Sequence, residues 1–191
     1  MKKSRWKIAF FSLLVLNILI VGLLSYFIFS PGVNEIPKYN VKESDKINLK
    51  VKSNKKDLTN LINHYIQKEN LNGPIDYSVN LDNEVELFGT MQIFSEDVQL
   101  KMTFEPVALK NGDLLLKQKS ILIGDLNLPV SYVLKFIQKS YKLPEWVTIV
   151  PNEEVIYVGL HDLKVNNMTV RANTFDLEND DIEFSLQVPM N

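Results

Sequence analysis

The spacing of apolar residues divides the chain into an N-terminal segment and a longer remainder. From Ile8 to Phe29 the sequence is almost entirely apolar, interrupted by Ser12, Asn17, Gly22 and Ser25 but by no charged residue. At about 1.5 Å per residue, a helix of this length is roughly 33 Å long, which matches the hydrocarbon core of a bilayer. The pattern therefore predicts a transmembrane helix over Ile8–Phe29, with a membrane as its partner.

A cleaved signal peptide is the alternative explanation of this apolar run. Signal peptides have an apolar region of roughly 7–15 residues followed by a small-x-small cleavage site. The run here is longer, and it continues into Phe29-Ser30-Pro31-Gly32, which is a poor cleavage site. A lipoprotein signal would need a cysteine, and the chain has none. These features favour an uncleaved anchor.

The charged residues that flank the anchor predict its orientation. Four cations precede it, at Lys2, Lys3, Arg5 and Lys7. Such a cluster favours the cytoplasmic side, whereas the lysines beyond the anchor are dispersed among acidic residues. We therefore expect a cytoplasmic tail (residues 1–7), a transmembrane helix (8–29), a linker (30–46) and an extracytoplasmic β-rich domain (47–191). The expected localisation is the cell membrane, with a single pass.

Beyond the anchor, the apolar spacing alternates between that of strands and that of helices. Strand-like runs occupy residues 47–51, 75–81, 85–93, 98–104, 114–123, 146–150, 155–158, 163–172 and 182–188. Asn111-Gly112-Asp113 is the strongest hairpin signal. Helical stripes begin after Ser53 or Asn54, either of which can cap the helix, and near Pro129. The patterns predict an α+β domain, in which two amphipathic helices pack on one face of a long, twisted antiparallel sheet.

The second predicted helix is apolar over a wide arc. Val130, Val133, Leu134 and Ile137 form its main stripe, while Tyr132 and Phe136 lie to one side of it. The helix is then either buried on two sides or also faces a ligand cavity. Large, flexible side chains on the sheet suit the second alternative, although ordinary core packing uses the same residue types. The candidate contacts of an apolar ligand are Phe88, Met91, Met102, Phe104, Leu116, Tyr132 and Phe136.

No combination of residues indicates catalysis, a cofactor or a metal. The two histidines, His64 and His161, lie about a hundred residues apart, without the spacing of metal ligands around either. The absence of cysteine excludes disulfides and thiolate sites. The acidic segment from Asp176 to Asp181 lacks the glycine and glutamate of a calcium loop, and we interpret it as a solvated turn. We therefore expect no enzymatic activity and no catalytic residue.

The charge balance argues against a nucleic-acid partner. Beyond residue 30 the chain carries 17 basic and 23 acidic residues. A nucleic-acid-binding domain would be expected to show the opposite excess. The basic residues are concentrated in residues 38–56, where seven lysines meet two acids. This segment either rests on anionic headgroups or is a solvated, strand-forming spacer.

Several segments together resemble the YpmS family of uncharacterised membrane-anchored proteins from Gram-positive bacteria. They are Thr103-Phe-Glu-Pro106, Asn111-Gly-Asp-Leu-Leu-Leu-Lys117, Leu128-Pro-Val-Ser-Tyr-Val-Leu-Lys135, Tyr141-Lys-Leu-Pro-Glu-Trp-Val147 and Ile156-Tyr-Val158. The resemblance extends over nearly the whole chain, including the anchor. It implies a Gram-positive cell envelope and carries over no catalytic residue.

Two functions fit these expectations. In the first, the outer domain is a binding module that holds a lipid or other apolar envelope molecule in a groove between sheet and helices. In the second, it is a non-catalytic scaffold or interaction domain for a cell-envelope protein. An apolar tunnel would favour the first function, and a filled core would favour the second.

Overall fold

The structure, a computed structural model, describes residues 5–29, 35–37, 46–68, 76–93, 96–124, 129–140, 143–163 and 168–189. It divides the chain into two compact units, Met1–Gly32 and Val33–Asn191.

The described part of the first unit is a helix, α1, from Arg5 to Phe29. Its segment Ala9–Tyr26 has a mean hydropathy of 2.3 and is long and apolar enough to cross a membrane. Ser12 and Asn17, two polar side chains within the apolar run, bond to the helix itself: the Ser12 hydroxyl donates to the Ala9 carbonyl, and the Asn17 amide donates to the Leu13 carbonyl. The helix therefore satisfies these groups without water, as a hydrocarbon environment requires.

The second unit is built from two helices, nine strands and two short 3₁₀ turns in its described part. The helices are α2 (Lys55–Lys68) and α3 (Val130–Ser140). The strands are β1 (Lys46–Ser53), β2 (Asp76–Leu81), β3 (Val85–Ile93), β4 (Glu96–Ala108), β5 (Leu114–Ile123), β6 (Val147–Val150), β7 (Val155–Val158), β8 (Thr169–Asp176) and β9 (Asp181–Pro189). The α+β class is confirmed, and so are both amphipathic helices.

The strands form two antiparallel sheets, whereas the sequence predicted one long sheet. The larger sheet has the order β2-β3-β4-β5-β7-β6, and the smaller has the order β1-β9-β8. The smaller sheet arises because the first and last strands of the domain pair over their whole length, from Lys46 opposite Pro189 to Ser53 opposite Ile182. Periodicity describes one segment at a time, so it does not reveal a pairing between segments more than a hundred residues apart.

The main core joins the larger sheet to both helices and to the smaller sheet. Leu58 of α2, Val133 of α3 and Ile182 of β9 share one buried cluster with Met102 and Phe104 of β4. Two further clusters extend this core, one between β5 and β8 and one around β7. All three clusters lie within the second unit, so this unit has the apolar core of an independent domain.

Helix α2 is fixed by polar contacts at its start and in its middle. Asn54 caps it, because the Asn54 side-chain oxygen accepts the Asp57 amide proton at 2.8 Å. The Asp180 carboxylate, from the acidic turn between β8 and β9, accepts the amide proton of Lys55 at 2.7 Å. Farther along, the Asn63 side chain donates to the Val79 carbonyl and accepts from the Val79 amide. In this way α2 is bonded to β2, an edge strand of the larger sheet.

Candidate functional site

The predicted ligand contacts whose side chains the structure describes do not all face one groove. Met102 and Phe104 are among the most buried side chains of the main core, and Leu116 packs against the same cluster. Phe88 faces away from that core, because its neighbour Leu87 packs on it and successive strand residues point to opposite faces. The backbone of Met91 pairs with Val98, but its side chain lies outside the described part.

The remaining two predicted contacts lie on α3. Val133 and Leu134 of the main stripe are buried, and Val130 and Ile137 are half-buried. Tyr132 is half-buried, whereas Phe136 is 45% exposed. The alternative in which α3 is buried on both sides is therefore excluded at the position of Phe136, because this side chain is half-exposed. The role of the seven residues in binding a ligand stays a prediction.

Six apolar side chains on one face of the smaller sheet form a surface that we call the apolar shelf. They are Ile47, Leu49 and Val51 of β1 and Phe184, Leu186 and Val188 of β9. In register, Ile47 lies opposite Val188, Leu49 opposite Leu186 and Val51 opposite Phe184. The β1 members are 50%, 50% and 42% exposed, respectively. The β9 members are half-buried, and on β8 the same row continues into the buried residues Val170 and Ala172.

The shelf is therefore the outer continuation of a buried layer. Its apolar row runs from the core at β8, across β9, to exposed side chains at β1. The opposite face of β1 is basic: Lys50 lies 3.1 Å from Glu183, and Lys52 lies 3.6 Å from Asp181. The alternation from Ile47 to Val51 correctly predicted a strand. Whether another element covers its apolar face depends on tertiary packing, so the alternation alone does not indicate this surface.

A second surface lies on the outer face of the larger sheet. Phe88, Lys101 and Leu122 lie side by side across β3, β4 and β5, beside a depression of about 480 Å³. The Lys101 ammonium lies 5.1 Å from the centre of the Phe88 ring and 2.8 Å from the Glu86 carboxylate. The hydrogen bond from Lys101 lowers the pKa of Glu86. The Lys101 charge is thus already paired, and the depression lacks the row of adjacent apolar side chains that the shelf has.

The most deeply buried polar cluster surrounds Asp113, in the turn between β4 and β5. Asp113 is fully buried, and its carboxylate accepts hydrogen bonds from the Tyr157 hydroxyl at 2.5 Å and the Asn111 amide at 2.7 Å. The same carboxylate accepts the His161 backbone amide proton and lies 2.8 Å from Nδ1 of the His161 ring. Burial raises the pKa of Tyr157, and its hydrogen bond to Asp113 raises it further, so this phenol remains a proton donor.

His161, around which the sequence shows no metal-ligand spacing, lies between two carboxylates. Its Nδ1 contacts Asp113, and its Nε2 lies 3.2 Å from the Asp162 carboxylate. Asn111-Gly112-Asp113 does form the predicted turn, in which Gly112 adopts a φ of +87°. The pattern did not indicate that the carboxylate of this turn would be buried beneath residues about fifty positions away.

A carboxylate that orients an imidazole also occurs in general-base pairs, in which the second ring nitrogen faces a nucleophile. In this cluster carboxylates lie against both ring nitrogens of His161. Within the described ranges, no group of three or more potential metal ligands has the geometry to hold an ion. The arrangement is suited to tying the 3₁₀ turn Leu160–Asp162 to the β4–β5 turn.

These features define a class of protein with two parts, an apolar N-terminal helix and a separate α+β domain. Strand β1 of that domain, which carries half-exposed apolar side chains, begins 17 residues after the helix. Residues 4–188 match the family described as "Uncharacterized protein conserved in bacteria (DUF2140)". The chain is also 33% identical over 187 residues to "Uncharacterized protein YpmS" of Bacillus subtilis (strain 168), an alignment that covers 97% of this chain and 98% of that relative. The chain therefore belongs to this family, and the resemblance noted in the sequence is confirmed. No solved structure matches it.

Proposed function

We propose that this protein is a membrane-anchored binding module outside the cytoplasm of a Gram-positive cell, and that it holds an apolar envelope molecule against the apolar shelf. The supporting observation is the half-exposure of Ile47, Leu49 and Val51, at one end of a layer whose other end is buried at β8. A lipid acyl chain laid along this row would remove apolar surface from water, worth about 25 cal/mol per Å². The proposal requires no catalytic residue.

The predicted anchor also supports a lipid ligand. Helix α1 is long and apolar enough to cross a membrane. A domain carried on such an anchor would be held at a membrane, where lipids are concentrated.

Lipid binding by the apolar shelf can be tested with residues 33–191, produced without α1. We expect this domain to bind a fluorescent fatty acid and to retain lipid in native mass spectrometry. Leu49→Asp should weaken binding by about tenfold or more, because it places a charge where an acyl chain would lie. The unfolding temperature should change little, because Leu49 is already half in water.

Asn48→Asp is the matched control for this test. Asn48 lies on the opposite face of β1, where its side-chain oxygen accepts a hydrogen bond from Gln187 that aspartate can also accept. This variant should bind the fatty acid as the natural domain does. Equal loss in both variants, or no binding by the natural domain, would contradict the shelf as a lipid site.

The proposed topology predicts a second result. Protease added to intact protoplasts should degrade the part of the chain beyond residue 33, because the cations at Lys2 to Lys7 hold the other end inside. The measurement is loss of a C-terminal epitope tag on a protein blot, with a cytoplasmic protein as the control for intact cells. A tag that survives until the cells are lysed would reverse the orientation.

A non-catalytic scaffold is the second candidate. It is favoured by the main core, in which Phe104, Met102 and Ile182 are almost completely buried. A core of this kind holds the domain rigid and leaves binding to its surfaces. If the domain binds no lipid, the scaffold becomes the better explanation.

A further inference from the structure

Strand β1 forms an edge of the smaller sheet. The sheet order is β1-β9-β8, so β9 covers one side of β1, and no other described strand pairs with its second side. All eight residues of β1 pair with β9 without a shift in register. The second side is therefore a long, regular row of backbone donors and acceptors, which is a template for an added strand.

The side chains of β1 restrict which strand can be added. Lys46, Lys50 and Lys52 alternate with Ile47, Leu49 and Val51, so one face is basic and the other is apolar. Strand β9 is an example of a sequence that pairs with β1. Its acidic residues lie near the lysines, and its apolar residues lie opposite the apolar row. The lysine side chains at 50 and 52 remain more than 70% exposed, so they can also reach a strand on the second side.

A second copy of β1 fits this edge poorly. If two β1 strands pair antiparallel about Leu49, Lys52 of one copy lies opposite Lys46 of the other. Moving the register by two residues in either direction instead sets Lys46 opposite Lys50, or Lys50 opposite itself. Like charges directly opposite each other destabilise a strand pair. The lysines therefore disfavour self-association and favour a partner of the opposite charge.

We propose that the open edge of β1 receives an extended segment of a partner protein in which acidic and apolar residues alternate. The segment adds a fourth strand to the smaller sheet, with its acidic side chains beside the lysines. Its apolar side chains lie next to Ile47, Leu49 and Val51 and widen the apolar shelf. This inference does not depend on lipid binding, since it concerns the edge of β1 rather than its apolar face.

The test uses the full-length chain in detergent micelles and a labelled synthetic peptide with the sequence of β9, Asp181 to Pro189. Fluorescence anisotropy should show saturable binding that weakens as salt is added, because the charge pairs are exposed. The double variant Lys50→Glu/Lys52→Glu should bind this peptide about tenfold more weakly. A peptide with lysine in place of both acids should bind that variant and not the natural chain. This reciprocal rescue would not follow from a simple loss of folding.

Three outcomes would overturn the proposal. Loss of the folded circular dichroism signal on peptide addition would mean that the peptide displaces β9 instead of occupying the open edge. The chain has no cysteine, so Asn48→Cys supplies a unique thiol on β1. Rapid formation of a disulfide-linked dimer by this variant would identify a second copy as the occupant. Absence of saturable binding by the β9 peptide would also overturn the proposal.

Discussion

Replacing Asp113 by alanine should lower the free energy of unfolding of the domain by about 3–5 kcal/mol, as for other broken buried ionic networks. The carboxylate is fully buried and is the common acceptor for Tyr157, Asn111 and His161. Its removal leaves several buried polar groups without their partner, at about 1–3 kcal/mol for each group that stays unsatisfied. The measurement is urea denaturation of residues 33–191, followed by the fluorescence of Trp146, the single tryptophan of that segment.

Asp162→Ala is the control for this experiment. The Asp162 side chain also contacts His161, but it is 60% exposed, so its loss should cost no more than about 0.5 kcal/mol. If Asp113→Ala lowers the free energy of unfolding no more than Asp162→Ala does, the buried cluster does not contribute to stability. A third result is also informative: if Asp113→Ala keeps its stability but loses function in the cell, the cluster has a chemical role.

The sequence predicted the local elements of this fold well because each is encoded by a short repeat of apolar residues. Val133 and Leu134, in the apolar stripe of α3, are buried as expected. The Asn111-Gly112-Asp113 turn connects β4 to β5, also as expected. The sequence did not separate the two sheets, because that separation depends on which distant strands pair. Ile47 and Ile182 have similar alternating neighbours, yet one is half-exposed and the other is buried.

The placement of the candidate residues in the fold was harder to predict than the elements, for two physical reasons. Phe88, Met102 and Phe104 were grouped by residue type, but the side to which a strand residue points is set by register and by what packs on each face. Asp113 was assigned to a hairpin turn, with no indication that its carboxylate is buried. Tyr157 and His161 lie against this carboxylate because β7 pairs with β5. No local signal in the sequence reports that contact.

The second large effect on stability is expected from a comparison of Phe104 with Phe88, both of which the sequence predicted as contacts of one ligand. Phe104→Ala should lower the free energy of unfolding by about 3–5 kcal/mol, because it opens a cavity in a packed core. Phe104 is only 1% exposed and shares its cluster with Met102 and Leu100 of the same strand. Phe88→Ala should cost less than about 1 kcal/mol, because Phe88 is 37% exposed on the opposite face of the sheet.

The two variants remove the same side chain from neighbouring strands, so they control for each other in urea denaturation. Fatty-acid binding should survive Phe88→Ala, since the apolar shelf lies on a different sheet. Binding should also survive Phe104→Ala at urea concentrations where that variant is still folded. If Phe104→Ala instead loses binding while its stability changes by less than about 1 kcal/mol, Phe104 lines a ligand cavity, and the lipid site lies between sheet and helices rather than on the shelf.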